Sequence, residues 1–297
     1  MARSRSLAIA LLLVLGAGAA AAQRVPLEHV SVSDTTLRHR VQLQGGTVLL
    51  GRIVEVSRDS VRLILQSGEA MAIARNAVQR VEQFPATRLR DGQYWAPNPN
   101  ATRLLFSPTA FPLGKGERYF NNVWLFFNHV AGGWSDRLSM GVGLSAFPTG
   151  DFFRDNILYL TPKLTVAEGN GGALAVGGFL GWLGALDDEE SSGSLGILYV
   201  VGSAGNRESN LDLGLGWGYY GGDIARRPIV MVGGQTRVSR RVALISENWI
   251  PPDAEDALVS VGLRFLGEGL SADLAFLNVT SEMRFPGYPW VGFTVRF

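Results

Sequence analysis

Few residues of the types that most often perform catalysis occur in this chain. It has no cysteine and three histidines among 297 residues, which excludes thiolate catalysis and leaves no spacing typical of a metal site. His129 is followed by Ser135 and Ser139, but a serine nucleophile needs a base within hydrogen-bond reach and a third group that orients the base. No motif of this kind surrounds these residues. We therefore predict no catalytic residue, metal or cofactor, and we interpret His129 as an interfacial or loop histidine.

Charged residues inside otherwise apolar segments are better candidates for a functional role. Each of them lies on the polar side of a segment in which every second residue is apolar. These residues are Lys163, Asp212, Arg264, Asp273 and Arg296. In a membrane barrel such side chains point inward, where they pair with one another or line water. Both signs are present, so the sequence is compatible with ion pairs that close a narrow lumen and with a selective pore.

The segments that carry these charges are short and rich in β-forming residues. Between residues 101 and 297 about 12 runs of about ten residues alternate with clusters of Gly, Asp, Asn, Ser and Pro, as in a transmembrane β-barrel. The first two runs are 103–110 and 118–130. In 138–147 and in 211–219, large apolar residues alternate with small or polar ones. A membrane barrel turns the large apolar residues toward lipid, so we predict an all-β fold with an antiparallel transmembrane barrel of about 12 strands.

The connections between the predicted strands alternate between longer and shorter lengths. Outer-membrane barrels have short periplasmic turns and longer outer loops. If the chain enters the barrel from the periplasm, every short turn lies on the periplasmic side. An even number of strands then returns the C-terminus to that side as well.

The N-terminus has the order of a secretory signal peptide. Arg3 and Arg5 precede the apolar run 7–15, and small residues follow up to Ala22. The run is shorter than the roughly 20 residues that span a bilayer. We therefore predict that residues 1–22 are removed during export. The formal net charge of +1 favours no nucleic-acid partner.

A small β domain precedes the predicted barrel. Residues 23–39 form a polar lead-in, and 40–84 contain alternating apolar residues separated by turn signals, which predicts about five short strands. The Pro- and Asn-rich stretch within 85–100 predicts a linker. A domain of this length is near the lower limit for independent stability, so we expect a small SH3-like barrel.

Residues 46–53, followed by Val56 and Val61, resemble the first motif of the Sm-like fold. RNA-binding members of that family contact the nucleotide through an Asp and an Asn, whose positions hold Ser57 and Val61 here. The basic-Gly element of the second motif is missing from 73–78. The resemblance implies a strongly bent small barrel that does not bind nucleic acid.

The last strand resembles the terminal signal by which outer-membrane barrels of Gram-negative bacteria are recognised for assembly. Apolar residues occupy alternate positions and the chain ends on an aromatic residue. These positions are Val291, Phe293, Val295 and Phe297. The resemblance implies that the barrel-assembly machinery is a partner, with outer-membrane lipid around the folded barrel.

Three functional interpretations follow from these patterns. The leading one is an outer-membrane barrel with a channel, transport or structural role, whose small domain lies in the periplasm and is either a passive plug or spacer or a module that binds a periplasmic partner. The first alternative is an outer-membrane lipid-modifying enzyme that uses His129 as its base. The second is a secreted soluble β protein that binds a partner through its SH3-like module.

Overall fold

The computed structural model describes residues 23–150, 155–184, 193–252 and 256–297. The predicted signal peptide, residues 1–22, lies outside the described residues. The chain divides into two compact units, with the boundary between Pro97 and Asn98. Among the described residues no helix is long and apolar enough to cross a membrane.

The N-terminal unit is a small antiparallel sheet, with five strands of five to nine residues and a two-residue strand at its edge. The strands are β1 Gln23–Arg24, β2 Leu37–Leu43, β3 Val48–Val56, β4 Ser60–Leu65, β5 Ala70–Ala74 and β6 Val78–Pro85. Their order is β1-β6-β2-β3-β4-β5, so the chain meanders from β2 to β5 and then returns β6 to the side of β2. Short 3₁₀ helices lie at Leu27–His29, Arg75–Ala77 and Ala86–Arg88.

The core of this unit contains the alternate apolar residues of its strands, including Val41, Ile53, Val61 and Leu63, all fully buried. A register shift between Ile53 and Glu55 marks a bulge in β3, and bulges bend a strand. His39 is also buried, and its Nδ1 accepts a hydrogen bond from the Ile53 N–H at 3.0 Å. Burial lowers the pKa of His39 to about 4, so the ring is neutral at neutral pH.

Part of the stretch predicted as a linker has regular structure. It contains a short hairpin of two paired strands, β7 Leu89–Arg90 and β8 Gln93–Tyr94. The ring of Tyr94 packs against Phe84 with the ring centroids 4.5 Å apart. This contact extends the packed structure of the N-terminal unit beyond β6.

The C-terminal unit is a closed antiparallel barrel. Its strands are β9 Arg118–Val123, β10 Phe127–Gly133, β11 Leu138–Ser145, β12 Ile157–Leu160, β13 Lys163–Gly169, β14 Gly172–Leu183, β15 Gly193–Gly205, β16 Ser209–Tyr220, β17 Asp223–Ile224, β18 Ile229–Arg237, β19 Val242–Ile250, β20 Leu258–Leu266, β21 Leu270–Val279 and β22 Tyr288–Arg296. The 3₁₀ helix Thr280–Glu282 follows β21.

The barrel closes because β9 pairs with both β10 and β22. β12 and β13 form one wall strand, since both pair with β11 and with β14. Pro162 lies at the break between them and has no N–H for the ladder. The short β17 pairs only with β16. The wall therefore has 12 strands, which confirms the predicted architecture.

Two of the predicted strands were wrong, although their errors cancel in the strand count. The run 103–110 is not part of the wall but lies among buried residues inside the barrel. The run 118–130 is two strands, β9 and β10, joined by a tight turn in which Trp124 and Leu125 have φ of 52° and 64°. Turns with positive φ usually carry Gly or Asn. The β-forming residues at this turn therefore concealed it.

The two faces of the wall have opposite chemistry. Inward positions are buried and mostly small or polar, as in β11, where Ser139, Gly141, Gly143 and Ser145 are buried while Leu138 and its alternate neighbours are not. Large apolar residues are exposed on the outside over most of the wall. Examples are Met140, Leu164, Leu174, Leu198, Leu213, Val232, Leu244, Leu263, Leu274 and Val291. This arrangement is the reverse of a soluble protein, in which polar residues face outward.

The shorter connections lie at one end of the barrel, which we call the terminal end. They are 134–137, 170–171, 206–208, 238–241 and 267–269. The start of β9 and the end of β22 are also there, since the N–H of Phe297 bonds to the carbonyl of Arg118 at 3.0 Å. Longer connections such as 146–156, 221–228 and 280–287 lie at the opposite end, together with the short turn 124–126.

Candidate functional site: the barrel lumen and its internal hairpin

Residues 98–113 fold into the barrel as a hairpin, here called the lumenal hairpin. The N–H of Leu104 bonds to the carbonyl of Ser107 at 2.9 Å, and the N–H of Thr109 to the carbonyl of Thr102 at 3.0 Å. The segment begins at the terminal end, where the backbone N–H of Asn98 bonds to Glu208 at 3.3 Å. Most of its residues are buried. The hairpin therefore occupies the interior from the terminal end inward.

Arg264 is the central anchor of the lumenal hairpin. Its side chain is fully buried and forms a bidentate pair with Asp273, with Nε–Oδ1 and Nη2–Oδ2 distances of 2.7 and 2.9 Å. The same guanidinium donates to the carbonyls of Asn100 and Leu104, each at 2.8 Å, and to Gln235 at 2.8 Å. A planar guanidinium with five N–H donors suits this role, so one residue joins the hairpin to β18, β20 and β21.

Lys163 holds the returning half of the hairpin. Its ammonium group donates to the carbonyls of Thr102, Thr109 and Phe111 at 3.2, 3.0 and 2.7 Å. Each of its three protons therefore has an acceptor. Nearby on β13, the hydroxyl of Thr165 donates to the carbonyl of Ala110 at 2.8 Å.

Two acidic side chains of the wall help to hold the hairpin backbone, one directly and one through a serine hydroxyl. Glu247 Oε2 accepts the N–H groups of Phe106 and Ser107 at 2.9 and 3.0 Å, which fixes the tip of the hairpin. The hydroxyl of Ser203 accepts the N–H of Ala110 at 2.8 Å and donates to Asp212. Glu247 thus accepts backbone donors of the hairpin directly, whereas Asp212 accepts the hydroxyl that holds another such donor.

The five charges singled out in the sequence have two locations. Lys163, Asp212, Arg264 and Asp273 are buried in the interior, and each contacts the hairpin or a neighbour that does. Arg296 lies at the terminal end instead, where it pairs with Glu117.

The residues predicted as an assembly signal lie on β22 and just after it. Val291 and Val295 are exposed on the outer face. The ring of Phe293 contacts Phe120 on β9, with the ring centroids 5.8 Å apart. These residues therefore belong to the outer surface at the seam where the barrel closes.

Three inward-facing wall residues that hold the lumenal hairpin or the Arg264 side chain were not identified from the sequence. They are Ser203, Gln235 and Glu247. Each follows the alternation of its strand, so their inward direction was available from the pattern. Glu247, for example, shares the inner face of β19 with Ala243 and Ile245. Their role was not available, because it depends on a hairpin that the sequence pattern placed in the wall.

His129 is an interior residue, not the interfacial or loop histidine expected from the sequence. It is buried in the middle of β10, and its Nε2 lies 2.7 Å from the hydroxyl of Thr161. Its ring is stacked on Tyr159 with the centroids 5.8 Å apart. No carboxylate contacts the ring within the described part of the chain. The described residues also contain no group of His, Asp or Glu suited to a metal ion.

A cavity of about 100 Å³ lies between the hairpin and the wall made by β9 to β15. Its lining includes Arg103 and Phe106 from the hairpin and His129, Lys163 and Tyr199 from the wall. The hairpin is thus bonded to both walls, by Arg264 and Glu247 on one side and by Lys163 on the other, and the cavity lies beside it on the β9–β15 side.

No family model matches the sequence, and no curated protein matches it. Among solved structures, the barrel is similar to OmpT, an outer membrane protein of Vibrio cholerae. A loop L8 deletion mutant of OmpT has 12% identity and a TM-score of 0.31, covering 88% of this chain and 97% of that chain. In-vitro folded OmpT has 8% identity and a TM-score of 0.33, with coverages of 88% and 95%. The trimer form of in-vitro folded OmpT has 11% sequence identity and a TM-score of 0.30, covering 88% of this chain and 96% of that chain. A likeness of this size carries no inference about function, and the barrel architecture follows from the strand pairing of this chain.

Proposed function

We propose that this protein is an integral outer-membrane β-barrel with a transport role, whose lumen is held closed by the lumenal hairpin in the state described above. The observation that carries the membrane location is the reversal of the two faces. Large apolar side chains such as Leu213, which is 59% exposed, surround the outside, while charged Arg264 is fully buried inside. Water would penalise such an outer face, whereas lipid favours it.

The orientation follows from the connections. Outer-membrane barrels place their short turns on the periplasmic side, and here the short turns share the terminal end with Phe297 and with the entry of the lumenal hairpin. The small N-terminal domain precedes that entry in the chain. We therefore assign the terminal end and the small domain to the periplasm, where an SH3-like module would bind a periplasmic partner.

A transport role is favoured over a purely structural one by the way the lumen is filled. Besides the apolar packing of Leu104, Leu105 and Ala110 against the wall, the hairpin is held by many hydrogen bonds, such as those of Lys163 and Glu247. Such contacts exchange for water when a segment moves. The hairpin is therefore suited to displacement, and its displacement would leave a polar lumen.

An enzymatic role has less support, because His129 is bonded to Thr161 and no acid orients its ring in the described residues. We therefore propose that the protein is not an enzyme.

Single-channel conductance, recorded in planar lipid bilayers, tests the transport proposal. Wild-type protein is expected to conduct rarely. The double variant Lys163→Met/Glu247→Gln removes three donors to hairpin carbonyls and weakens the acceptor at the hairpin tip, so it should show frequent open events. Lys115→Met removes an exposed lysine and should behave as wild type. No conductance in either the wild type or the double variant would leave the barrel with a structural role only.

A further inference from the structure

The cavity beside the lumenal hairpin has an unbalanced charge. Two cationic residues, Arg103 and Lys163, contribute to its lining, and no acidic residue does so in the described part of the chain. The acids that contact the hairpin, Glu247 and Asp273, belong to β19 and β21 on the other wall. On that wall Arg264 is paired with Asp273, whereas no acidic residue lines the cavity beside Arg103 and Lys163 in the described part of the chain.

Neither cation of the cavity has a carboxylate partner within the described residues. Lys163 donates to three backbone carbonyls. Arg103 donates to the amide oxygen of Asn121 at 2.5 Å and to the carbonyls of Leu105 and Phe106. Asp212 attracts Lys163 through space but is bonded to Ser203. One anion beside buried Lys163 and half-buried Arg103 leaves a net positive charge, and a buried charge is costly unless it is paired.

Two buried nitrogen atoms of the cavity lining have no hydrogen-bond partner in the described part of the chain. They are Arg103 Nε, which is a donor, and His129 Nδ1, which is a donor in one tautomer of the ring and an acceptor in the other. His129 is 94% buried, since its exposed fraction is 6%. The hydroxyls of Tyr119 and Tyr199, which also line the cavity, make no hydrogen bond within that part either. A positive site with several unpaired donors fits an acceptor-only ligand.

We infer that this cavity binds a small oxyanion of the sulfate or phosphate class, held by Arg103, by the hydroxyls of Tyr119 and Tyr199, and by the positive charge of Lys163. The cavity volume of about 100 Å³ leaves room for a small polyatomic anion. Lys163 contributes charge and not a hydrogen bond, because its three protons are already used.

The site also explains why the hairpin carries an arginine at position 103. The guanidinium of Arg103 reaches Asn121 on β9 and lines the cavity, so a bound anion would bridge hairpin and wall on the side opposite Arg264. Anion binding is therefore expected to stabilise the hairpin in its closed position. The binding itself does not depend on whether the barrel conducts.

The test is calorimetric titration of the purified full-length protein in detergent with sodium sulfate, which replaces sodium chloride at constant ionic strength. Wild-type protein should bind sulfate saturably at one site. Arg103→Met should weaken binding at least tenfold, roughly the loss of one charge-assisted hydrogen bond. Tyr199→Phe, which keeps the charge and nearly the same volume, should weaken it several-fold. Arg137→Met, an exposed arginine in a turn, is the matched control and should bind as wild type.

Heat-modifiable gel mobility establishes that each variant is folded before it is titrated. If Arg103→Met does not fold, Tyr199→Phe decides the question. The proposal is overturned if folded wild-type protein binds no sulfate saturably, or if binding is unchanged in both variants. Conductance and sulfate binding are independent measurements, so failure of the transport proposal and failure of the anion site are distinguishable.

Discussion

At the scale of single residues, the lumen depends on buried charges whose partners are far away in sequence. Arg264 and Asp273 are directly opposite on β20 and β21, but the carbonyls that complete the coordination of Arg264 are 164 and 160 residues distant, at Asn100 and Leu104. Alternation along the strand directs the side chain inward. It does not reveal that the acceptors belong to a hairpin.

Removal of one partner of this buried pair should be far more costly than removal of the pair. Arg264→Met leaves the Asp273 carboxylate buried without its partner, so the free energy of unfolding should fall by about 3–5 kcal/mol. Arg264→Met/Asp273→Leu should recover a large part of that loss. Urea unfolding in lipid vesicles, followed by tryptophan fluorescence, measures both.

The matched control is Arg284→Met, because Arg284 pairs with Glu282 on the surface, where both side chains are more than 60% exposed. Its effect should stay below about 1 kcal/mol. If Arg264→Met is equally mild, the network around Arg264 does not hold the hairpin.

At the scale of elements, each wall strand separates an apolar outer row from a small or polar inner row. β16 shows this clearly, with Leu211 and Leu213 exposed and Asn210 and Asp212 buried. The alternation was visible in the sequence because the side-chain period of a strand is two residues. The tight turn between β9 and β10 was not visible, because its residues are good strand formers.

The position of an outer residue along its strand should decide the effect of a charge. Leu213→Arg places a cation near the middle of the apolar band and should cost about 2–4 kcal/mol of unfolding free energy in lipid. Leu211→Arg lies nearer the terminal end of the same strand and should cost only about 0–1 kcal/mol. Equal and negligible effects of the two substitutions would contradict the membrane location, since a water-exposed surface tolerates both.

At the scale of the whole molecule, the barrel must be delivered and closed. The seam between β9 and β22 brings together the first and last wall strands. The N–H of Phe297 completes the seam through the carbonyl of Arg118. We expect β22 and Phe297 to be recognised by the barrel-assembly machinery, as their resemblance to the terminal signal implies.

Deletion of Phe297 should therefore lower the amount of assembled protein more than its stability. Full-length protein should fractionate with the outer membrane and show a heat-shifted band on gels, and the deletion should reduce that band several-fold in cells. Refolding of the purified deletion variant into detergent is the control, which should succeed because one terminal hydrogen bond contributes only about 1 kcal/mol. A soluble protein that is indifferent to the deletion would contradict both the location and the signal.

The sequence by itself determined the all-β class and the alternation along the strands, because these depend on local periodicity, whereas the predicted number of wall strands was right only because two errors cancelled. It also directed Lys163, Asp212, Arg264 and Asp273 to the inner face of their strands. Only the tertiary structure decided that residues 98–113 enter the lumen, and that Glu247 and Ser203 bind that hairpin. A hairpin inside a barrel and a hairpin of the barrel wall show the same alternation of apolar and polar residues. Both consist of extended strands that pack one face against the protein. The contacts that distinguish them join residues more than 90 positions apart, and no local pattern encodes that distance.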